Sequence, residues 1–137
     1  MQAIAGTDDA LRRDMSYATI WLDHREARIF RLSSRGVDKA TLRPMLHPER
    51  RHSRGESAAT AHPDDDRRFF ADISAALSGY AHILVIGPSS AKLELVDYAH
   101  ERDHTLEDRI DGVQTVDHPT DRQIVALGKK YFKLDDE

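Results

Sequence analysis

The stretch His82-Ile-Leu-Val-Ile-Gly-Pro-Ser-Ser-Ala-Lys-Leu-Glu-Leu-Val-Asp-Tyr-Ala-His100 constrains the fold more than any other part of the chain. Its β-branched Ile83, Val85 and Ile86 belong to an apolar run that stops abruptly at Gly87-Pro88. A helical pattern follows, with Leu93, Val96 and Ala99 expected on one buried face. A buried strand that feeds a helix through a tight turn defines an α/β protein.

Upstream, Tyr17 to Asp23 and Glu26 to Leu32 read as two strands with His24-Arg25 between them at hairpin distance, without the usual Gly or Asn signal. In the second, Ala27, Ile29 and Arg31 alternate with Arg28, Phe30 and Leu32. Ser33 to Gly36 makes a turn into a third strand, Val37 to Leu42. Residues 43–63 carry no hydrophobic period, and a loop of that length is expected to be functional or disordered. A first helix is expected from Asp64 to Ser78, with Phe69, Phe70, Ile73 and Leu77 as its stripe, acidic residues at its start and Gly79 at its stop. Thr105 to Ile110 reads as a short helical turn and Gly112 to Asp117 as a fifth strand. Thr120-Asp-Arg-Gln123 has the form of a capping box and opens a helix with Ile124, Leu127, Gly128 and Tyr131 on one face. The order β-β-β-α-β-α-β-α predicts a ribonuclease-H-like α/β fold. It has a five-stranded mixed sheet with strands 1, 4 and 5 parallel and helices on both faces. Residues 1–15 are expected to form a flexible leader (Met15 offers an alternative start), 16–133 a single domain, and 134–137 a polar tail.

At 137 residues the chain suffices for one core, and 32% charged residues give it a heavily charged surface. A net charge of -4 argues against a surface that coats nucleic acid all round, so any such contact needs a local basic patch. With no cysteine, disulfides, thiolate metal sites and cysteine nucleophiles are excluded. No apolar run approaches the ~20 residues that span a bilayer, and the N-terminus lacks the basic and apolar regions of a secretory signal. A cytoplasmic location is the expectation, with no membrane and no DNA contact.

The combination of Ile-Trp-Leu-Asp-His-Arg-Glu-Ala-Arg-Ile-Phe, a basic loop, and Ile-Leu-Val-Ile-Gly-Pro-Ser-Ser-Ala-Lys-Leu-Glu-Leu resembles the middle domain of archaeal and eukaryotic class I release factors. It also resembles the same domain of their relative Pelota, which acts in ribosome rescue, and small stand-alone bacterial proteins labelled translational machinery proteins. The resemblance covers roughly residues 17–132. It is sharpest at Gly87-Pro88 with Lys92 and Glu94, which match the family's turn, although Ser89 replaces a second glycine. Release factors carry Gly-Gly-Gln in the loop after the third strand to position water at the peptidyl-tRNA ester. Here that loop reads His52-Ser-Arg-Gly-Glu-Ser57, with one glycine and no glutamine, so peptide release does not carry over. Pelota also lacks the tripeptide. The resemblance therefore implies a non-catalytic factor that associates with the ribosome or tRNA in rescue, quality control or stasis, alongside a possible protein partner in translation.

Several residues are candidates for contact. Arg43, Arg50, Arg51, His52 and Arg54 lie on the loop, where arginines suit bidentate phosphate contacts, and the bland alternative is a solvated loop. Lys92 with Ser89 and Ser90 could hold an anion at a helix start, against the plainer reading of Ser89 or Ser90 as a cap and Lys92 as a surface residue. No nucleotide-binding P-loop is present. A metal-dependent nuclease or hydrolase is the competing class, built on Asp23 with Asp66 or Asp72. Two-metal chemistry needs several gathered carboxylates, however, and the fourth strand ends in Gly87-Pro88. A capped turn explains Asp23 better. His47, His52 and His62 with Asp64 to Asp66 could bind a metal, but no spacing matches a known site. Asp117 and His118 suggest a triad fragment without a serine on a nucleophile elbow. Trp21 and Phe30 read as packing residues. No cofactor is expected, and a protein–protein interaction module remains a third reading.

Overall fold

The structure, a computed structural model, describes residues 16–33, 36–44 and 63–134. The expected leader 1–15, the loop residues 45–62 and the tail residues 135–137 lie outside the described residues.

Strands β1 (Tyr17–Leu22), β2 (Ala27–Ser33) and β3 (Gly36–Leu42) form an antiparallel meander. Helix α1 (Pro63–Ala76) leads to β4 (His82–Gly87), then α2 (Ala91–Arg102), α3 (His104–Arg109), β5 (Ile110–Thr115) and α4 (Asp121–Tyr131). The five strands lie in the order β3-β2-β1-β4-β5, with β4 parallel to both β1 and β5. This is the mixed sheet expected from the element order.

The alternation of strand side chains sorts the core into two layers. Ala18, Ile20 and Leu22 of β1, Ala27 and Ile29 of β2, and Ile83 and Val85 of β4 face Phe69, Phe70, Ile73 and Leu77 of α1, Leu95 and Ala99 of α2, and Leu106 of α3. On the other face Trp21, Phe30, Leu32, Leu84 and Ile86 meet Ile124 of α4, flanked by Leu127 and Phe132. Trp21 and Phe30 are the core residues that their pattern suggested.

The capping box is complete: Thr120 Oγ1 accepts from Gln123 N at 3.2 Å, and Gln123 Oε1 from Thr120 N at 2.9 Å. Gly128, one turn further on, lets α4 settle onto β1. A methyl group there would overlap Thr19 Oγ1 and crowd Leu32.

Two sequence expectations need correction. Helix α2 does not bury Leu93 and Val96: its inner face is Ala91, Lys92, Leu95 and Ala99, and Leu93 is 53% exposed. Leu95, two alanines and the aliphatic stem of Lys92 fill the space beneath the helix, which leaves Leu93 outside and Val96 half-buried at the margin. Neither serine before α2 caps it in the ordinary way. Ser90 makes no side-chain cap bond and donates instead to Glu94 Oε2 at 2.9 Å, while Ser89 Oγ sits 3.5 Å from Ala91 N.

Candidate functional site

Parallel β1 and β4 end side by side, and the crevice beyond the carboxyl ends of such strands is where α/β sheets place their sites. Gly87 makes the junction possible, because any Cβ there would run into the Leu22 carbonyl. Its own carbonyl accepts from Val116 N at 3.0 Å, which brings the segment after β5 to the same edge.

At this edge the β1–β2 turn is fixed by Asp23, whose Oδ1 accepts from Arg25 N at 2.8 Å and Glu26 N at 2.9 Å. Asp23 is thus the capped-turn residue, the plainer of its two readings. His24, presented by that turn, places Nε2 3.2 Å from both carboxylate oxygens of Glu94 on α2. Lys92 is buried, with Nζ donating to Ser89 O at 2.7 Å. It ties the Gly87-Pro88 turn to the first turn of its helix. Among the described residues no three histidine or carboxylate side chains gather as a metal site.

A second assembly lies where β2 and β3 meet α4, at the root of the basic loop. The Arg28 guanidinium stacks on Trp21 at 4.4 Å from the ring centre and donates through Nη1 to Asp121 Oδ1 at 2.7 Å. Its Nε lies 3.2 Å from Glu26 Oε2, but out of line for a hydrogen bond. Lys39 Nζ donates to the other oxygen of Asp121 at 2.6 Å. The Lys39 ammonium, and then the Arg28 guanidinium, hold the Asp121 carboxyl below the ordinary carboxylate range. Arg43 continues the network, donating to Glu26 Oε1 at 3.1 Å while its side chain stays 69% exposed. The Trp21 indole donates to Asp117 O at 2.9 Å, and His118, over the same ring, faces Asp117 at 3.1 Å.

Of the residues the sequence nominated, Arg43 therefore stands at the surface beside the loop and Lys92 lies inside the strand–helix turn. Arg50, Arg51, His52 and Arg54 fall outside the described residues, as do His47 and His62. The ion-pair network of Arg28, Lys39, Asp121 and Glu26 shares only Arg43 with the residues nominated. Its signal was Arg28, a charge on the strand face that also carries Phe30 and Leu32, which demands a partner.

The architecture defines a class: a five-stranded mixed sheet of ribonuclease-H-like order with helices on both faces. Solved structures with this fold include Archaeoglobus fulgidus Pelota, at 19% identity and a TM-score of 0.58, covering 94% of this chain and 36% of that one. The archaeal translation termination factor aRF1 matches at 18% identity and a TM-score of 0.57, over 93% of this chain and 38% of its own. Dom34 of S. cerevisiae, a translation termination-like factor involved in RNA quality control pathways and interacting with Hbs1, matches at 13% identity and 0.58, over 98% and 39%. The fold implied by the resemblance to release factors and Pelota is the fold found. This chain spans well under half the length of those structures. No protein-family model matches the sequence, and no curated protein matches it.

Proposed function

We propose that this chain is a non-catalytic translation factor that associates with the ribosome or with tRNA through the basic loop rooted at Arg43. The observation that supports it is the sharing of one fold, over more than nine tenths of the chain, with proteins of translation termination and RNA quality control. The loop that would carry release chemistry has no Gly-Gly-Gln, which favours binding over catalysis. In this reading the sheet is a rigid platform, and Glu26 and Arg28 set the direction in which Arg43 leaves β3. Arg50, Arg51, His52 and Arg54 contact phosphates alongside it, and Lys92 holds its turn.

The test is co-sedimentation with ribosomes of the host across a salt series, beside a variant with Arg50, Arg51 and Arg54 changed to alanine. Binding should weaken with salt, and the variant should lose about 2–3 from the log–log salt slope, near 0.7–0.9 per phosphate contact. Absence of binding to ribosomes, subunits or tRNA at low salt would refute the reading.

A further inference from the structure

The formal charges are unevenly divided along the chain. Residues 63–109, which hold α1, α2 and α3, carry ten carboxylates against five lysines and arginines, a balance of −5. Residues 16–44, the β1–β3 meander, carry three against six, a balance of +3. A polycation approaching the protein is drawn to the helical layer, and a polyanion to the meander.

Within the helical layer, α1 and α2 leave an open groove between them. Phe70 and Tyr98 line its floor, tilted against each other with ring centres 6.0 Å apart. Phe70 belongs to the core and Tyr98 packs on it, so these rings are fixed. Asp66, Glu94, Asp97 and Glu101 line the same groove, with Arg67 and Arg102 also present. Carboxylates thus outnumber guanidiniums by four to two beside a fixed aromatic surface. A guanidinium or ammonium fits both features, through its charge and through the negative face of the ring. Glu94 is engaged by His24 and Ser90, which leaves Asp97 and Glu101, both exposed, as the carboxylates of α2 for a ligand.

We propose that the α1–α2 groove docks an arginine- or lysine-rich segment of a partner protein. The site lies on the other side of the sheet from α4, carries the opposite charge to the Arg43 loop, and is independent of the RNA contact proposed above. The chain has two surfaces and bridges a polyanion to a basic protein.

Binding is measured on the full chain by fluorescence anisotropy, with a labelled nine-residue peptide of alternating Arg and Ser as the probe. The double variant Asp97→Asn/Glu101→Gln should weaken binding about tenfold at low salt. The control Asp72→Asn/Asp108→Asn removes the same charge outside the groove and should change it less than twofold. Tyr98→Leu, which keeps an apolar floor, should cost about threefold. On the unmodified protein, NMR shift changes should centre on residues 66–70 and 94–102, a readout that needs no variant to fold. Equal weakening in both double variants would overturn the proposal, as would absence of binding or shifts centred elsewhere. Tighter peptide binding after Arg50, Arg51 and Arg54 are replaced would assign the groove to this chain's own basic segment, and would also overturn it.

Discussion

Thr19 is fully buried on the middle strand of the sheet, and its hydroxyl finds no hydrogen-bond partner. Gly128 of α4 presses directly on it. A buried, unpaired hydroxyl costs about 1–3 kcal/mol in desolvation, so Thr19→Val, nearly the same shape, should raise stability by about 1 kcal/mol in urea unfolding. Gly128→Ala tests the same contact from the other side. Alanine gains about 1 kcal/mol in helix propensity over glycine, but a methyl driven into Thr19 and Leu32 should outweigh it, for a net loss of about 2 kcal/mol. Thr19→Ala should recover part of that loss in a double-mutant cycle, because the atom in the way is its hydroxyl oxygen. Gly87→Ala has no such rescue. The obstacle is the Leu22 carbonyl, and the backbone of β1 cannot step aside from two ladders.

Among the elements, α3 and its flanks join the helical layer. Asp103 caps α3, accepting from Leu106 N at 3.2 Å and from the hydroxyls of Thr105 and Ser74, the latter on α1. Those bonds, the one from Ser74 foremost, pull its carboxyl below the ordinary range. A carboxyl depressed in the folded state adds stability that is present above its unfolded pKa and lost as pH falls through the folded value. Asp103→Asn keeps a cap but not the charged acceptor, so it should be less stable than the parent at pH 7, and the difference should shrink as pH falls below about 4, as read by urea midpoints across pH. Arg109 closes the other end, donating to Leu77 O at 2.6 Å and Tyr80 O at 2.7 Å where α1 ends. Arg109→Ala should cost about 1–3 kcal/mol. The sequence shows α3 as a short helical turn near Thr105 to Ile110 but not these bonds, which reach back about thirty residues to α1. The strands were legible, because Ile83, Val85 and Ile86 or Ile29, Phe30 and Leu32 carry their signal in bulky side chains. Helix α2 misled for the converse reason. Its buried face is Ala91, Lys92, Leu95 and Ala99, and a count of large apolar residues points instead to Leu93. The contact loop is a matter of charge without period, so sequence could nominate Arg50, Arg51 and Arg54 but fix no geometry for them.

For the molecule as a whole, the last helix supplies the cover of the second core layer through Ile124 and its neighbours. A chain ended at Pro119 loses α4 and leaves Trp21, Phe30, Leu32, Leu84 and Ile86 without their cover. At about 1.5–3 kcal/mol for each large side chain returned to water, the loss matches the whole 5–15 kcal/mol that holds a domain together. That truncation should show no cooperative urea transition and should bind a hydrophobic dye at neutral pH.

The strand order has a consequence for how the chain is made. β1 is the middle strand, yet its two neighbours are made at different times: β2 follows at once, while β4 emerges about sixty residues later. Until His82 to Gly87 leave the exit tunnel, the nascent meander carries an open, apolar β1 edge, the kind of template on which chains aggregate. The pause between the two pairings is the interval in which a nascent chain of this protein most needs a chaperone.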